Sequence, residues 1–326
     1  MNPLARLYGA ATSMRNSLFD RQVLKSQRLN LPVISVGNLS VGGTGKTPFV
    51  IALGELFKSR KIDFDILSRG YGRKTRGVLI VDPAGAPSEF GDEPLLLARQ
   101  LGVPVVVGES RFAAGHLAEQ KFESQMHILD DGFQHRSLAR DFDIVLLSET
   151  DLADHLLPVG RLREPLSSLR RANAVVMPEG RVRDFRQIGE LDQLERQKLI
   201  FYMRRTLSLP PGLRTPVVFC GIARPQQFFE QVRAAGIKPA AEVTFRDHHP
   251  YSKSDIDQLL ARQRQTGAES FLTTAKDAVK LQKWQESIKP LATASLILTL
   301  DRPDDLVDAI LARIAKNFPG HEKILS

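Results

Sequence analysis

Short apolar runs recur along the first half of the chain, at residues 33–36, 62–67, 103–107, 127–129, 144–147 and 174–177. Between several of them, at 46–58, 92–100 and 111–122, apolar side chains return with the spacing of one helix face. Runs this short, bounded by turn-forming residues, predict buried strands, and the longer repeats predict amphipathic helices. Strand and helix alternating in this way predict a mostly parallel sheet covered on both faces. Residues 77–81, which follow the basic turn YGRKTRG, predict an added strand or hairpin.

Residues 181–198 are polar and predict a surface helix, and LIFYMRRTLSLPPG (199–212) then alternates like a strand until Pro210, Pro211 and Gly212 break it. The joint between two units is placed there. Beyond it PVVFCGIA, PAAEVTF, SFLTTA and SLILTL predict strands separated by helices. The chain is thus expected to hold a larger unit at 1–198, a linker at 199–212 and a smaller α/β unit at 213–326. No repeat or low-complexity tract interrupts the pattern.

The first thirty residues read differently. Leu4, Leu7, Tyr8, Ala11, Met14 and Leu18 recur at helical spacing, while Arg6, Arg15, Arg21, Lys25 and Arg28 face a single acid, Asp20. A basic amphipathic helix can lie on an anionic membrane surface or pack against its own core, and the pattern alone does not separate the two.

Bulk composition narrows the class. The 326 residues are 42% hydrophobic and 25% charged, as expected of a globular protein with a true core. No window reaches the roughly 18 apolar residues of a membrane span, and the N-terminus lacks a secretion signal. A cytoplasmic protein is expected. The lone cysteine, Cys220, excludes a disulfide and lies in an apolar run, where a buried role is expected. A net charge of +8 points to an anionic partner, and no nucleic-acid-binding module is recognisable.

Candidate chemistry centres on SVGNLSVGGTGKTPF, residues 35–49. A glycine-rich turn between a strand and a helix presents backbone N–H groups to an anion, aided by the helix dipole. Ser40, Val41, Gly42, Gly43, Thr44, Gly45, Lys46 and Thr47 fit a phosphate-binding loop, except that Ser40 replaces the leading glycine. That exchange is tolerable where the backbone keeps a negative φ, whereas Gly42, Gly43 and Gly45 can supply positive φ. Lys46 is expected on the transferring phosphates and Thr47 on Mg²⁺. Asp130, at the end of the run MHILD, is the expected metal-side carboxylate. In TTAKD, Lys276 and Asp277 are adjacent, which is the wrong spacing for a guanine reader, so ATP is expected. Val41 stands where dimerising ATPase switches carry a second lysine, which argues against that class.

A kinase also needs a base at the acceptor hydroxyl. Asp92 and Glu93 in FGDEP, Asp131 in DDG, and Asp247, His248 and His249 in FRDHHPY are the candidates. Each also has a plain reading as a helix-start acid or a surface histidine. The residues themselves lead only to an ATP-dependent phosphotransferase or ATPase with an unknown acceptor.

SVGNLSVGGTGKTP, LSRGYGR, GDEP, LDDGFQHR, LLPVGRLREP, DHHPY and TTAKDAVK, taken together and in order, resemble the bacterial tetraacyldisaccharide 4′-kinases of lipid A biosynthesis, the LpxK family. The likeness runs from about residue 33 to residue 280. It implies ATP- and Mg²⁺-dependent phosphorylation of the 4′-hydroxyl of an acylated glucosamine disaccharide 1-phosphate, giving lipid IV-A. It also implies a peripheral place on the cytoplasmic leaflet of the inner membrane, with no nucleic acid and no obligatory protein partner. By its motifs Lys46 acts on the phosphates, Thr47, Glu93 and Asp130 belong to the metal, and Asp92 is the base with His248 as its partner. Asp131 is placed at the site without a fixed role. Arg69, Tyr71 and Arg161, with Arg73 and Arg163, are expected near substrate or ATP phosphates. One departure is Ala275, where the family usually has Glu.

Overall fold

A computed structural model describes residues 3–148, 150–180, 196 and 199–319. Apart from residue 196, the expected surface helix at 181–198 lies outside the described residues. The larger body begins with α1 (Pro3–Asp20), β1 (Val33–Asn38), α2 (Lys46–Ser59), β2 (Phe64–Ser68) and β3 (Leu79–Ile80). It continues through α3 (Pro87–Phe90), α4 (Asp92–Leu101), β4 (Val105–Val107), α5 (Arg111–Lys121), β5 (Met126–Asp130), β6 (Phe142–Leu146) and β7 (Ala174–Pro178). After β8 (Ile200–Ser208) come β9 (Val217–Cys220), α6 (Pro225–Ala234), β10 (Ala241–Thr244) and α7 (Lys253–Thr266). The chain closes with β11 (Phe271–Thr274), α8 (Ala275–Ala278), β12 (Leu291–Leu300) and α9 (Pro303–Asn317).

The strands form one twelve-stranded sheet in the order β10-β9-β11-β12-β8-β7-β6-β1-β5-β2-β4-β3. All neighbours are parallel except β3 on β4 and β12 on β8. The fold is therefore α/β, with a phosphate-loop-type, mostly parallel body continued by a smaller one. Apolar runs buried on both faces produce this arrangement, because helices must cover each side. The hairpin expected at 77–81 is the short antiparallel edge strand β3.

Two long strands carry the sheet from one body to the other. β8 pairs with β7 through Ile200–Met203 and with β12 through Met203–Ser208. β12 pairs with β11 through its first residues and with β8 through its last. Because β12 runs against β8, the strands of the smaller body point back at the larger one. The carboxyl ends of both parallel sets thus face each other across a cleft, where loops of an α/β sheet carry function.

Residues 199–212, read from the sequence as a linker, are largely this strand β8, and the break at Pro210 follows it. The chain also returns: on α9, Leu306, Val307, Ile310 and Ile314 pack into the larger body's core beside Phe49, Leu53 and Phe57 of α2. Arg60 adds ion pairs to Asp304 and Asp308 across that contact.

On α1 the outer face is apolar and uncovered: Leu4, Leu7 and Met14 are 59%, 69% and 66% exposed. Ala11 lies in the same stripe. The inner face is anchored by polar contacts. Tyr8 donates to the Arg163 carbonyl (3.1 Å), and Asn16 donates to Glu164 (2.6 Å).

Candidate active site

The loop after β1 opens α2 at Lys46, with Gly45 as its N-cap in the left-handed region (φ 85°). Gly42 also has positive φ (105°), whereas Gly43 and Ser40 are not among the positive-φ residues. Ser40 therefore does not need the conformational freedom of the glycine it replaces, and it pairs as a bridge with Leu162. Asn38, which the sequence did not single out, braces the loop. It donates to the Ser40 carbonyl (2.6 Å) and to Thr44 Oγ1 (2.9 Å) and accepts from Lys46 Nζ (3.1 Å). Its own carbonyl accepts from Gln134 (2.9 Å).

Asp130 and Asp131 lie beside this loop at the end of β5. Asp130 is buried; its Oδ2 accepts from Ser68 (3.1 Å), while Oδ1 has no hydrogen-bond partner. Burial, then the charges of Glu93 and Asp131, push its carboxyl up to about 7. An orphaned buried oxygen in a field of like charge is what a divalent cation relieves. No three His, Cys, Asp or Glu side chains converge as a closed metal site among the described residues. Thr47, Glu93 and Asp130 thus fit an ion such as Mg²⁺, which is commonly held by one or two carboxylates and completed by phosphate oxygens and water.

Asp131 has φ 51°, a left-handed backbone unusual outside glycine. It points toward two cations, Lys46 Nζ at 3.4 Å and Arg163 Nη1 at 3.0 Å. Burial acts to raise its carboxyl, but these two charges outweigh it and hold the group below its ordinary value. Its place is therefore beside Lys46 and Arg163.

The acceptor side is assembled from both bodies. Asp92 begins α4, where Gly91 (φ 93°) turns the chain into the helix. His248 comes from the loop after β10, also with positive φ (57°). Its Nδ1 lies 3.1 Å from Asp92 Oδ2, and Lys276 Nζ donates to its Nε2 at 3.1 Å. An ammonium can only donate, so Nε2 is the acceptor and the ring proton sits on Nδ1, donated to Asp92. Burial acts against the Lys276 charge, but Glu93 and Asp247 outweigh it and raise this lysine above its ordinary value. His249 faces away: it stacks on Phe245 (4.8 Å) and lies 3.0 Å from Asp255, holding the loop to α7.

The glycine loop, Glu93, Asp130, Asp131, His248 and Lys276 line one cleft of about 980 Å³, and Asp92 adjoins it through its contact with His248. Arg69 and Tyr71 also line it, and the Tyr71 ring meets His248 edge-on at 5.3 Å. Arg161 does not line it: its guanidinium is held by Asp154 (2.8 Å) and Thr150, and only its carbonyl supports the loop, accepting from Val41 N (2.8 Å). Arg163, two residues on, reaches Asp131 instead. Arg73 is taken up by Glu109 and the Gly77 carbonyl. Arg205, from β8, donates to the Thr44 carbonyl and crosses Gly45. No sequence motif marked it.

A phosphate cradle facing an acid–imidazole pair across two bodies is the arrangement of a phosphate-loop phosphotransferase. Comparison with known proteins narrows that class. The chain belongs to the family described as "LpxK: Tetraacyldisaccharide-1-P 4'-kinase", which matches residues 1–315. It is 47% identical to the tetraacyldisaccharide 4'-kinase of Koribacter versatilis, covering 97% of this chain and 99% of that one. The corresponding protein of Aquifex aeolicus is 40% identical over 87% of this chain and 90% of its own length. A crystal structure of LpxK from Aquifex aeolicus in complex with ATP superposes with a TM-score of 0.79 at 37% identity, covering 96% of this chain and 98% of that one.

Proposed function

We propose that this chain transfers the γ-phosphoryl group of ATP to the 4′-hydroxyl of a tetraacylated glucosamine disaccharide 1-phosphate, yielding lipid IV-A. The observation that carries the reading is the 3.1 Å contact of Asp92 with His248, whose ring lines the same cleft as the glycine loop. The loop's N–H groups, Lys46 and the N-terminus of α2 bind and orient the triphosphate. Asp92 takes the proton of the sugar hydroxyl on its Oδ1 as the hydroxyl oxygen bonds to phosphorus. The bond from phosphorus to the β–γ bridging oxygen breaks, and its electrons leave with ADP. His248 keeps its proton on Nδ1 throughout and orients Asp92. Thr47, Glu93 and Asp130 would hold Mg²⁺, which would supply charge neutralisation at the phosphate oxygens. Arg69, Tyr71 and Arg163 are placed to meet substrate phosphate or sugar.

The acceptor is a lipid, and α1 supplies a way to meet it. Its inner residues Tyr8, Thr12 and Arg15 line the cleft, while its uncovered stripe of Leu4, Leu7, Ala11 and Met14 turns outward. Exposed Val23 and Leu24 extend the apolar surface, flanked by the exposed Arg6, Arg21 and Lys25. Among the described residues no helix is long and apolar enough to span a bilayer. The face is instead that of a helix lying in the headgroup layer of the cytoplasmic leaflet. The joint at 199–212, with β12, lets the two bodies close on substrate and keep water from the phosphate.

Purified protein with ATP, Mg²⁺ and the acylated disaccharide in detergent micelles tests this directly. Label from [γ-³²P]ATP should move into the lipid. Hydrolysis of ATP with no label in lipid would overturn the assignment of the acceptor.

A further inference from the structure

Behind the acid–imidazole pair lies a lysine that the reaction above does not use. The Lys280 side chain is 4% exposed and does not line the cleft. Its Nζ lies 2.7 Å from Asp277 Oδ1, 3.7 Å from Asp92 Oδ2, and 5.4 Å from the centre of the Tyr251 ring. Asp277 is wholly buried and fixed: it accepts from Gly221 N (2.9 Å) and Thr274 Oγ1 (2.7 Å), at the ends of β9 and β11.

We propose that Lys280 is a positioning residue for phosphoryl transfer, holding the Asp92 carboxylate by one oxygen so that the other is presented to the acceptor hydroxyl. The inference rests on the reading of Asp92 as the base. Both neighbours that Asp92 receives from the smaller body, His248 Nδ1 and Lys280 Nζ, lie on the same oxygen, Oδ2. Among the described residues no hydrogen bond engages Oδ1, which leaves that atom for substrate. A carboxylate held only by His248 could rotate about its Cβ–Cγ bond and exchange its oxygens. A cation anchored to the sheet through Asp277 removes that freedom. Because Lys280 and Asp277 come from the body opposite Asp92, the same contact makes the base geometry depend on the approach of the two bodies. Coulomb attraction across 3.7 Å in such buried surroundings is far less screened than in a surface pair. The plain alternative is that Lys280 only neutralises Asp277.

Kinetics on the full-length protein separate the two. Lys280→Met, Asp92→Asn, the double variant of these, and Asp277→Asn/Lys280→Met are assayed in detergent micelles with ATP and the acylated disaccharide. Nucleotide affinity and the thermal unfolding midpoint are measured on each. Lys280→Met should lower kcat by roughly tenfold to a hundredfold, part of the 10²–10⁴ that a positioned base contributes. Nucleotide affinity and both KM values should change by no more than about threefold, the split expected when transition-state geometry alone is lost. Asp277→Asn/Lys280→Met, which removes the charge pair as a unit and so leaves no unpaired buried charge, should show the same fall. On the Asp92→Asn background, losing Lys280 should lower the rate no further. The proposal is overturned if the charge-pair variant keeps kcat within about twofold, or if the Lys280 and Asp92 effects multiply. If Asp92→Asn itself keeps full kcat, the base reading falls and this proposal with it. A severe Asp92→Asn beside a silent Asp277→Asn/Lys280→Met removes this proposal alone.

Discussion

His248 and Asp92 meet at 3.1 Å although 156 positions separate them and each belongs to a different body of the fold. Lys276 closes the other side of the ring at 3.1 Å, so the imidazole is held between a cation and an acid. Its ring proton is thereby committed to Asp92. The proposed base therefore rests on a contact between the two bodies, whereas the glycine loop belongs to the larger body.

That division of labour sets the first expectation. Asp92→Asn should reduce kcat by about 10²–10⁴, the usual worth of a positioned base, with nucleotide affinity within about threefold of the parent. His248→Gln should reduce kcat less, because the carboxylate remains. Titration calorimetry and steady-state rates check both. A matching loss of ATP affinity in Asp92→Asn would make this residue a nucleotide or metal ligand instead.

Asp130 carries a different expectation. Its orphaned Oδ1 and its carboxyl pushed up to about 7 are both conditions that a bound cation would relieve. Asp130→Asn keeps the shape and the Ser68 contact but removes the charge. It should raise the Mg²⁺ concentration for half-maximal rate by about tenfold or more, while excess Mg²⁺ recovers part of kcat. A magnesium titration of both proteins decides it. An unchanged requirement would move the metal elsewhere.

Lys46 and Asp131 form a third test. Lys46→Ala should depress both nucleotide affinity and kcat, because the lysine faces the phosphates in ground state and transition state alike. Asp131→Asn frees Lys46 and Arg163 from their shared carboxylate at 3.4 and 3.0 Å. It should leave nucleotide affinity unchanged or tighter and reduce kcat. Weakened nucleotide binding in Asp131→Asn would place this aspartate on the metal instead.

What could be read along the chain was what is local. The strands and helices of the larger body follow from runs and periodicities, and the cradle around Gly45, Lys46 and Thr47 is a contiguous stretch whose chemistry is its own spacing. The pair Asp92 and His248 was reachable only through family likeness, since composition leaves both as ordinary turn and helix-start residues. Arg205 carried no signal, and Asn38 and Lys280 lie inside quoted motifs without a role being marked for them, because each acquires its role from a strand or body that folds onto it. Arg161 and Arg163 flank buried Leu162, and nothing in the order of residues says which of them reaches the cleft. The apolar face of α9 announced a helix but not that it would return to the first core.

The uncovered stripe of α1 can be tested apart from catalysis. Leu7→Glu and Met14→Glu place charge on two residues that touch little of the protein, so folding should be unaffected. Binding to anionic lipid vesicles, measured by co-sedimentation, should fall by about tenfold or more, as loss of buried apolar area and added like charge both act against it. The rate on substrate held in vesicles should fall with it, and the rate on dispersed substrate should not. Undiminished vesicle binding would show that another surface meets the bilayer.

A buried charge cluster that does not line the cleft predicts how stability responds to pH. His127, on β5, is wholly buried, with Nδ1 2.7 Å from Asp65 Oδ1 and Nε2 3.6 Å from Glu119 Oε1. Burial acts to lower its affinity for the proton, but the two carboxylates prevail and push it up to about 9. Glu119 is moved the other way, to about 2: burial opposes the shift, and His127 with the N–H groups of Leu31 and Asn30 outweighs it. A histidine whose folded value lies above its unfolded value of about 6.5 stabilises fully below that pH, and the stabilisation is lost as pH rises through about 9. The shift corresponds to something on the order of 3 kcal/mol, at about 1.4 kcal/mol per tenfold change. The part of the Glu119 shift that comes from His127 is this same interaction and goes with it, while the part from Leu31 and Asn30 is lost only as pH falls toward 2, away from the alkaline limb. The thermal unfolding midpoint should therefore drop by about 5 °C or more between pH 6.5 and pH 9.5. In His127→Gln the protein should be less stable at pH 6.5 and its midpoint nearly level across the same range. A parent whose midpoint stays level through pH 9 would mean that this imidazole is not held as a cation between Asp65 and Glu119.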